Sequence, residues 1–241
     1  MPVQTIVIIG AVYLFATCIQ RICGFGMGIL AVMILPYFTG SHVHSAAYTN
    51  ILSALSASYL TWRYRDKVRW RLIFPILCGS FLATFLSVRF LSGASFELLE
   101  KILGGTLLLL SVYFLFLKGK LRVPPDPQYG FLAGCLGGIA NGLFGAGGPP
   151  VVLYLLGATE GHAAYLATIQ GYFAFNNIYA TIVRFLSGQL TPELLTGLFG
   201  ALPAMVAGIR LGDLIAPYLP DKAILKAIYL LMMVSGIQML L

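Results

Sequence analysis

The chain has 241 residues, of which 59% are hydrophobic and 10% charged, whereas soluble domains carry roughly 45–50% and about 25%. Fifteen Lys and Arg against eight Asp and Glu give a formal net charge of +7. The basic residues cluster in short loops beside apolar segments, a pattern typical of cytoplasmic loops and not of nucleic-acid binding. So few charges cannot cover a soluble surface, which excludes soluble enzymes, disordered linkers, disulfide-rich secreted modules and coiled coils. The composition predicts an all-α polytopic membrane protein.

Ten apolar stretches are the predicted membrane segments. A helix needs about 20 apolar residues to cross the hydrocarbon core, and most stretches reach that length. The short ones are interrupted by glycine and proline, so they are predicted to be broken helices that either cross fully or turn back halfway. In chain order the stretches are 3–20, 22–38, 45–62, 72–91, 98–117, 129–143, 147–158, 163–187, 194–216 and 223–241.

Three landmarks occur twice in the same order, which predicts a duplication. The run Phe25–Gly28 matches Phe144–Gly147, 119 residues later (25 to 144). The run His44–Tyr48 resembles His162–Tyr165 at nearly the same offset. The third landmark pairs Gly79 with Gly200, Ala83 with Ala204 and Arg89 with Arg210.

The matches divide the chain into a first transmembrane repeat, residues 1–122, and a second, residues 129–241. Between them lies a proline-rich linker, residues 123–128. The basic loops 63–71 and 118–122 are predicted on the cytoplasmic side, which puts the linker there too. The charge pattern favours inverted halves of about five segments each, with both termini outside. Parallel repeats of four full spans are the alternative.

Catalytic motifs are missing from the sequence. It contains no HExxH, GxSxG or GxxxxGK[ST] pattern, so no enzyme activity, metal or cofactor is predicted. The four cysteines lie in apolar stretches without a CxxC pair and are predicted to be packing residues.

The break Gly142–Pro150 places four glycines and two prolines within nine residues at membrane depth. Backbone groups freed by such a break cannot face lipid, so they must face protein or a water-filled cavity. Helix N-termini at a break present free N–H groups and partial positive charge, which suits an anion. Close helix packing better explains the glycines spaced four apart before it, Gly130, Gly134, Gly138 and Gly142.

The charge distribution also favours an anion. All eight carboxylates lie at or near predicted segment ends, whereas a midplane cation site would need one well inside. Arg21 lies beside the first break and either attracts an anion or fixes topology, whereas Arg89 and Arg184 are expected to reach the membrane interface. Neutral polar residues either line the cavity or bond between helices. The predicted substrate-binding residues are Arg21, Phe25, Gly26, Gly28, Asn50, Asn141, Phe144, Gly145, Gly147, Gly148, Pro149 and Gln170.

At these residues the chain resembles the TauE/SafE sulfite-exporter family, also called the TSUP anion permeases. The runs Gly24–Gly28 and Gly142–Pro150 carry the resemblance, which covers essentially the whole chain. It implies a multi-pass plasma-membrane carrier that exports sulfite, sulfoacetate or related organosulfonates. Protons are a candidate coupling ion and a homodimer a candidate assembly. The alternatives are an anion channel or a carrier for a non-sulfur organic anion. The first half has Ile29-Leu-Ala-Val32 where the second has Gly-Pro-Pro, so the two breaks need not contribute equally.

Overall fold

The computed structural model describes residues 2–91 and 124–240, together with positions 101, 104–105, 108–109, 111–113 and 115 between them. All regular structure in these ranges is helical. The helices are α1 (Val3–Cys23), α2 (Met27–Thr39), α3 (His42–Arg63), α4 (Trp70–Leu86), α5 (Pro127–Phe144), α6 (Gly148–Ala158), α7 (His162–Leu186), α8 (Pro192–Ile215) and α9 (Asp221–Leu240). The second basic loop, 118–122, most of segment 98–117, and Glu97 and Glu100 lie outside the described residues.

Several helices have the length and apolar character of membrane spans. Val3–Cys23, Trp70–Phe90 and Leu194–Tyr218 qualify by length and composition within the described part of the chain. Helices α3 and α7 are also long, with 22 and 25 residues, but they bury several polar side chains. Large apolar side chains cover the outside, such as Phe199, which is 80% exposed. A surface of this kind suits lipid and identifies an integral membrane protein.

The first break lies at the predicted glycine run Gly24–Gly28, but the helix before it is longer than the predicted stretch. The stretch 3–20 was expected to end before Arg21, but α1 continues to Cys23. It ends at Gly24, and both Gly24 (φ +85°) and Gly26 (φ +116°) adopt the left-handed region that glycine tolerates. The predicted end of the stretch was wrong because a charged residue does not end this helix, and α1 carries Arg21 in its last turn.

Helix α5 begins inside the predicted linker 123–128. Asp126 is its N-cap and accepts a hydrogen bond from the Gln128 N–H at 2.8 Å. Pro127 occupies the first helical position, where its fixed φ is favourable and its missing N–H is not needed. The last two residues of that linker therefore belong to the first turn of α5.

Helices α3 and α7 pack against each other in opposite directions. Asn50, in the first half of α3, accepts a hydrogen bond from Arg184 near the end of α7. Thr61, near the end of α3, lies beside Gly171 in the first half of α7. The two helices are therefore antiparallel.

Helices α1 and α3 run in the same direction, so α2 between them turns back. The Tyr13 hydroxyl lies 2.9 Å from Thr49 Oγ1. One level further along both helices, Gln20 Nε2 donates to Ser53 Oγ at 3.3 Å. Because α2 connects the end of α1 to the start of the parallel α3, α1 and α2 form a helical hairpin, the first hairpin.

The second half contains a corresponding hairpin of α5 and α6. A Cβ on Gly137 would lie 3.2 Å from the Tyr172 hydroxyl, and further along both helices Arg184 donates to the Gly142 carbonyl. Helices α5 and α7 are therefore parallel. Since α6 connects the end of α5 to the start of α7, it also turns back, and α5 and α6 form the second hairpin.

The most extensive contacts among the described helices join α4 to α5 and α1 to α8. Both pairs are parallel, and glycines allow the backbones to approach closely. On α5 these glycines include Gly134, Gly138 and Gly142, three of the four glycines whose spacing predicts close helix packing. Two contacts show that α4 and α5 are parallel, Ile76 with Gly134 and, further along both, Ser87 with Gly142. Two others show the same for α1 and α8, Ile6 with Gly200 and, further along both, Thr17 with Gly208.

Candidate functional site

The tips of the two hairpins meet in the protein interior. A Cβ on Gly28, in the first turn of α2, would collide with the carbonyl oxygen of Gly145. A Cβ on Gly148, at the start of α6, would lie 3.2 Å from Phe25 Cβ. Phe25 and Phe144 are both only 2% exposed. Two broken helices therefore touch backbone to backbone at a buried position.

A small cavity of about 20 Å³ lies between the tips, room for about one water molecule. A sulfur oxyanion has four or more heavy atoms and requires a wider space, so the cavity is too small to hold it in this conformation. Polar lining comes from Gln20, Thr49, Ser53 and Asn177 on three different helices. The predicted site residues that line it are Phe25, Gly26, Gly28, Gly145, Gly147, Gly148 and Pro149.

The first turn of α2 offers backbone donors to this cavity. The N–H groups at the start of a helix have no acceptor within that helix, and Met27, Gly28 and Ile29 all line the cavity. The first turn of α6 differs because Pro149 and Pro150 have no N–H.

A buried network of amides crosses the interface of α3 and α7. Asn50 Nδ2 donates to Asn141 Oδ1 at 3.1 Å and to Asn177 Oδ1 at 2.8 Å. Asn177 Nδ2 then donates to Ser53 Oγ at 3.0 Å. The predicted site residues Asn50 and Asn141 therefore form a hydrogen bond between α3 and α5. Asn50 also contacts Asn177, which lines the cavity.

The network continues from Ser53 to the first hairpin. Gln20 Nε2 donates to Ser53 Oγ and, at 3.4 Å, to Gln170 Oε1. Gln170 Nε2 donates to the Gly24 carbonyl at 3.1 Å. Gln170 lies at the edge of the site, since it holds the end of α1 and lines a separate pocket.

Arg184 is buried, and the expectation that it reaches the membrane interface was wrong. Its side chain is 1% exposed. Nε donates to Asn50 Oδ1 at 2.8 Å, Nη1 donates to Gln189 Oε1 at 2.7 Å, and Nη2 donates to the Gly142 carbonyl. These interior acceptors hold the guanidinium although α7 ends two residues later.

A helical spacing in the sequence could have indicated this role. Gln170, Asn177 and Arg184 are seven residues apart, so they share one face of α7. A polar face on an otherwise apolar membrane helix indicates that this face is turned inward. The prediction for Arg184 rested on its proximity to the segment end alone.

Arg21 lies outside the cavity between the tips. Its Nε donates to Asp213 Oδ1 at 2.6 Å and its Nη2 to the Tyr64 hydroxyl at 2.7 Å. Arg63 Nη1 contacts the other Asp213 oxygen at 2.7 Å. Arg21 lines a second pocket of about 140 Å³ together with Lys67, close to the basic loop 63–71.

One comparison with known proteins identifies the family. The family described as sulfite exporter TauE/SafE matches residues 9–239, a range that includes both hairpins and the buried network. No curated protein and no solved structure matches the chain. Among the described residues, no group of three or more His, Cys, Asp and Glu side chains could hold a metal ion. The chain therefore belongs to the TauE/SafE sulfite exporter family of multi-pass membrane transport proteins.

Proposed function

We propose that the protein is a secondary-active carrier of the cell membrane that exports sulfite, sulfoacetate or related organosulfonates. The observation that carries the proposal is the meeting of two buried hairpin tips, with the first turn of α2 at the cavity between them. Unpaired N–H groups and the positive end of a helix bind oxyanions. Membership of a sulfite-exporter family supports the same substrate class.

The carrier works by alternating access between two inverted repeats, residues 1–122 and 129–241, joined by a cytoplasmic linker. The order of long, short, long and long helices in α1–α4 and in α5–α8 supports the repeat. The antiparallel α3 and α7, and the parallel pairs of α1 with α8 and α4 with α5, support the inversion. Rocking of one half against the other opens the central site to each side in turn.

The small cavity supports a carrier more than an anion channel. A channel needs a continuous path in its conducting state, whereas a carrier can rearrange its site between conformations. A volume of about 20 Å³ is too small for a sulfur oxyanion to pass between the tips in this conformation. A proton gradient is the proposed driving force.

Uptake of radiolabelled sulfite into proteoliposomes tests the proposal. The flux is measured with and without an imposed pH gradient and in the presence of sulfoacetate, sulfate or chloride. We expect saturable flux that sulfur oxyanions suppress and chloride does not. Equal competition by chloride would indicate a channel, and the absence of sulfite flux would move the substrate to another organic anion.

A further inference from the structure

Arg184 differs from the other described basic residues in its surroundings. It is the fully buried one among them, and no described carboxylate pairs with it. Its three acceptors are two side-chain amides and a backbone carbonyl, all neutral. A buried charge without a counter-charge is costly for the folded state.

The position of Arg184 connects it to the cavity between the tips. Asn50 accepts its Nε hydrogen bond and donates to Asn177, which lines the cavity. The Gly142 carbonyl, another of its three acceptors, lies in the last turn before the tip of the second hairpin. Only two hydrogen bonds therefore separate the guanidinium from the cavity wall. In this buried region, water and salt screen a charge weakly.

The other arginines near the site are compensated. Arg21 and Arg63 share the carboxylate of Asp213, and their side chains are 12% and 41% exposed. Among the described residues, the positive groups beside the cavity that lack a counter-charge are therefore Arg184 and the start of α2.

We infer that Arg184 is the fixed counter-charge for the transported anion and sets the preference of the cavity for anion charge. This inference rests on the proposed function. Arg184 acts through its field and by positioning Asn177 through Asn50, without touching the anion. An anion in the cavity compensates the charge of Arg184, which no described carboxylate pairs with. A transported anion with two negative charges is therefore stabilised more than one with a single charge.

The test compares two competitors that differ in charge, sulfoacetate with two negative charges and methanesulfonate with one. Their inhibition constants against labelled sulfite are measured in proteoliposomes for wild type, Arg184→Gln and Arg184→Lys. Glutamine removes the charge and keeps a hydrogen-bond donor, whereas lysine keeps the charge and loses the planar group that bonds three acceptors. Gln189→Ala is the matched control, because it removes an Arg184 partner without changing charge.

We expect Arg184→Gln to raise the sulfite KM at least tenfold. The competitor ratio, which is the inhibition constant of sulfoacetate divided by that of methanesulfonate, should rise at least fivefold. Arg184→Lys and Gln189→Ala should keep the wild-type ratio within twofold, even where thermal stability falls. A wild-type ratio in Arg184→Gln, or an equal loss for both competitors, would overturn the inference. If Arg184→Gln does not fold, wild type decides, since sulfite flux that sulfoacetate and methanesulfonate inhibit equally would contradict a preference set by charge. Failure of the proposed function is distinct, because then wild type would show no sulfite flux.

Discussion

The two hairpin tips occupy corresponding places but present different chemistry. The first has two glycines with positive φ, Gly24 and Gly26, and leads into a helix whose first N–H groups have no acceptor within that helix. The second has one such glycine, Gly145, and leads into a helix that begins with Gly148 and two prolines. The second motif is the more conspicuous one in the sequence, but its helix α6 offers fewer backbone N–H donors than α2. The prolines of the second motif preset the start of α6 and its glycines allow close approach, while the first turn of α2 offers backbone N–H donors to the cavity.

A bulky residue at Gly147 should have the largest effect. Its Cβ would collide with the Gly137 carbonyl and lie 2.7 Å from Asn141 Cβ, so a leucine forces α6 away from α5 within the second hairpin. We expect Gly147→Leu to abolish sulfite uptake and to destabilise the protein by about 1–3 kcal/mol, while it still inserts into the membrane. Uptake per reconstituted protein and thermal unfolding in detergent measure this. Intact uptake would contradict the assignment of the second tip to the site.

Gly28→Ala breaks the contact between the tips and leaves each hairpin intact. The added methyl meets the Gly145 backbone, which cannot rotate away. We expect transport to fall by about tenfold or more. That factor corresponds to raising the free energy of the conformation in which the tips touch by about 1.4 kcal/mol. Gly171→Ala is the control, because its methyl meets only side-chain methyl groups, with Ile73 Cδ1 nearest at 2.7 Å. Equal rates for the two variants would show that tip contact is not needed for transport.

Pro149→Ala tests the difference in donors between the tips. Pro149 lines the cavity, and alanine restores an N–H at the second position of α6. We expect the KM for sulfite to stay equal or fall up to about threefold, while stability falls by about 0.4–1 kcal/mol because the unfolded chain gains freedom. Pro150→Ala is the control, since the lining does not include Pro150. A large rise in KM for Pro149→Ala alone would mean that the proline ring itself contacts the anion.

Arg21→Gln should have the smallest effect on substrate binding. Arg21 is paired with Asp213 outside the central cavity, and Asp213 keeps Arg63 as a partner when Arg21 is replaced. We expect a KM change of less than about threefold, equivalent to about 0.7 kcal/mol, measured by sulfite uptake at several concentrations. A rise of tenfold or more would make Arg21 an anion ligand and would weaken the comparison between the tips.

Most helix positions could be predicted from the sequence, because a helix in lipid satisfies its backbone hydrogen bonds within its own segment. Apolar runs and glycine breaks are local signals, so α2, α6 and the close packing of α5 follow from them. The end of α1 was missed at Arg21, since a charge in a helix is acceptable when a partner such as Asp213 lies beside it. The predicted break residues do meet, because both tips carry glycines at the point of contact.

Composition and local pattern were sufficient to predict a helical membrane protein with two interior breaks, and they led to the proposal that it binds anions. They could not assign the arginines, because the environment of each is set by residues far away in the chain. Asn50 is 134 residues from Arg184, and Asp213 is 192 residues from Arg21. Whether a charge is compensated at the edge or left unpaired beside a cavity depends on which helices pack together. Only the tertiary structure decided that Arg21 belongs to an ion pair and Arg184 to the core.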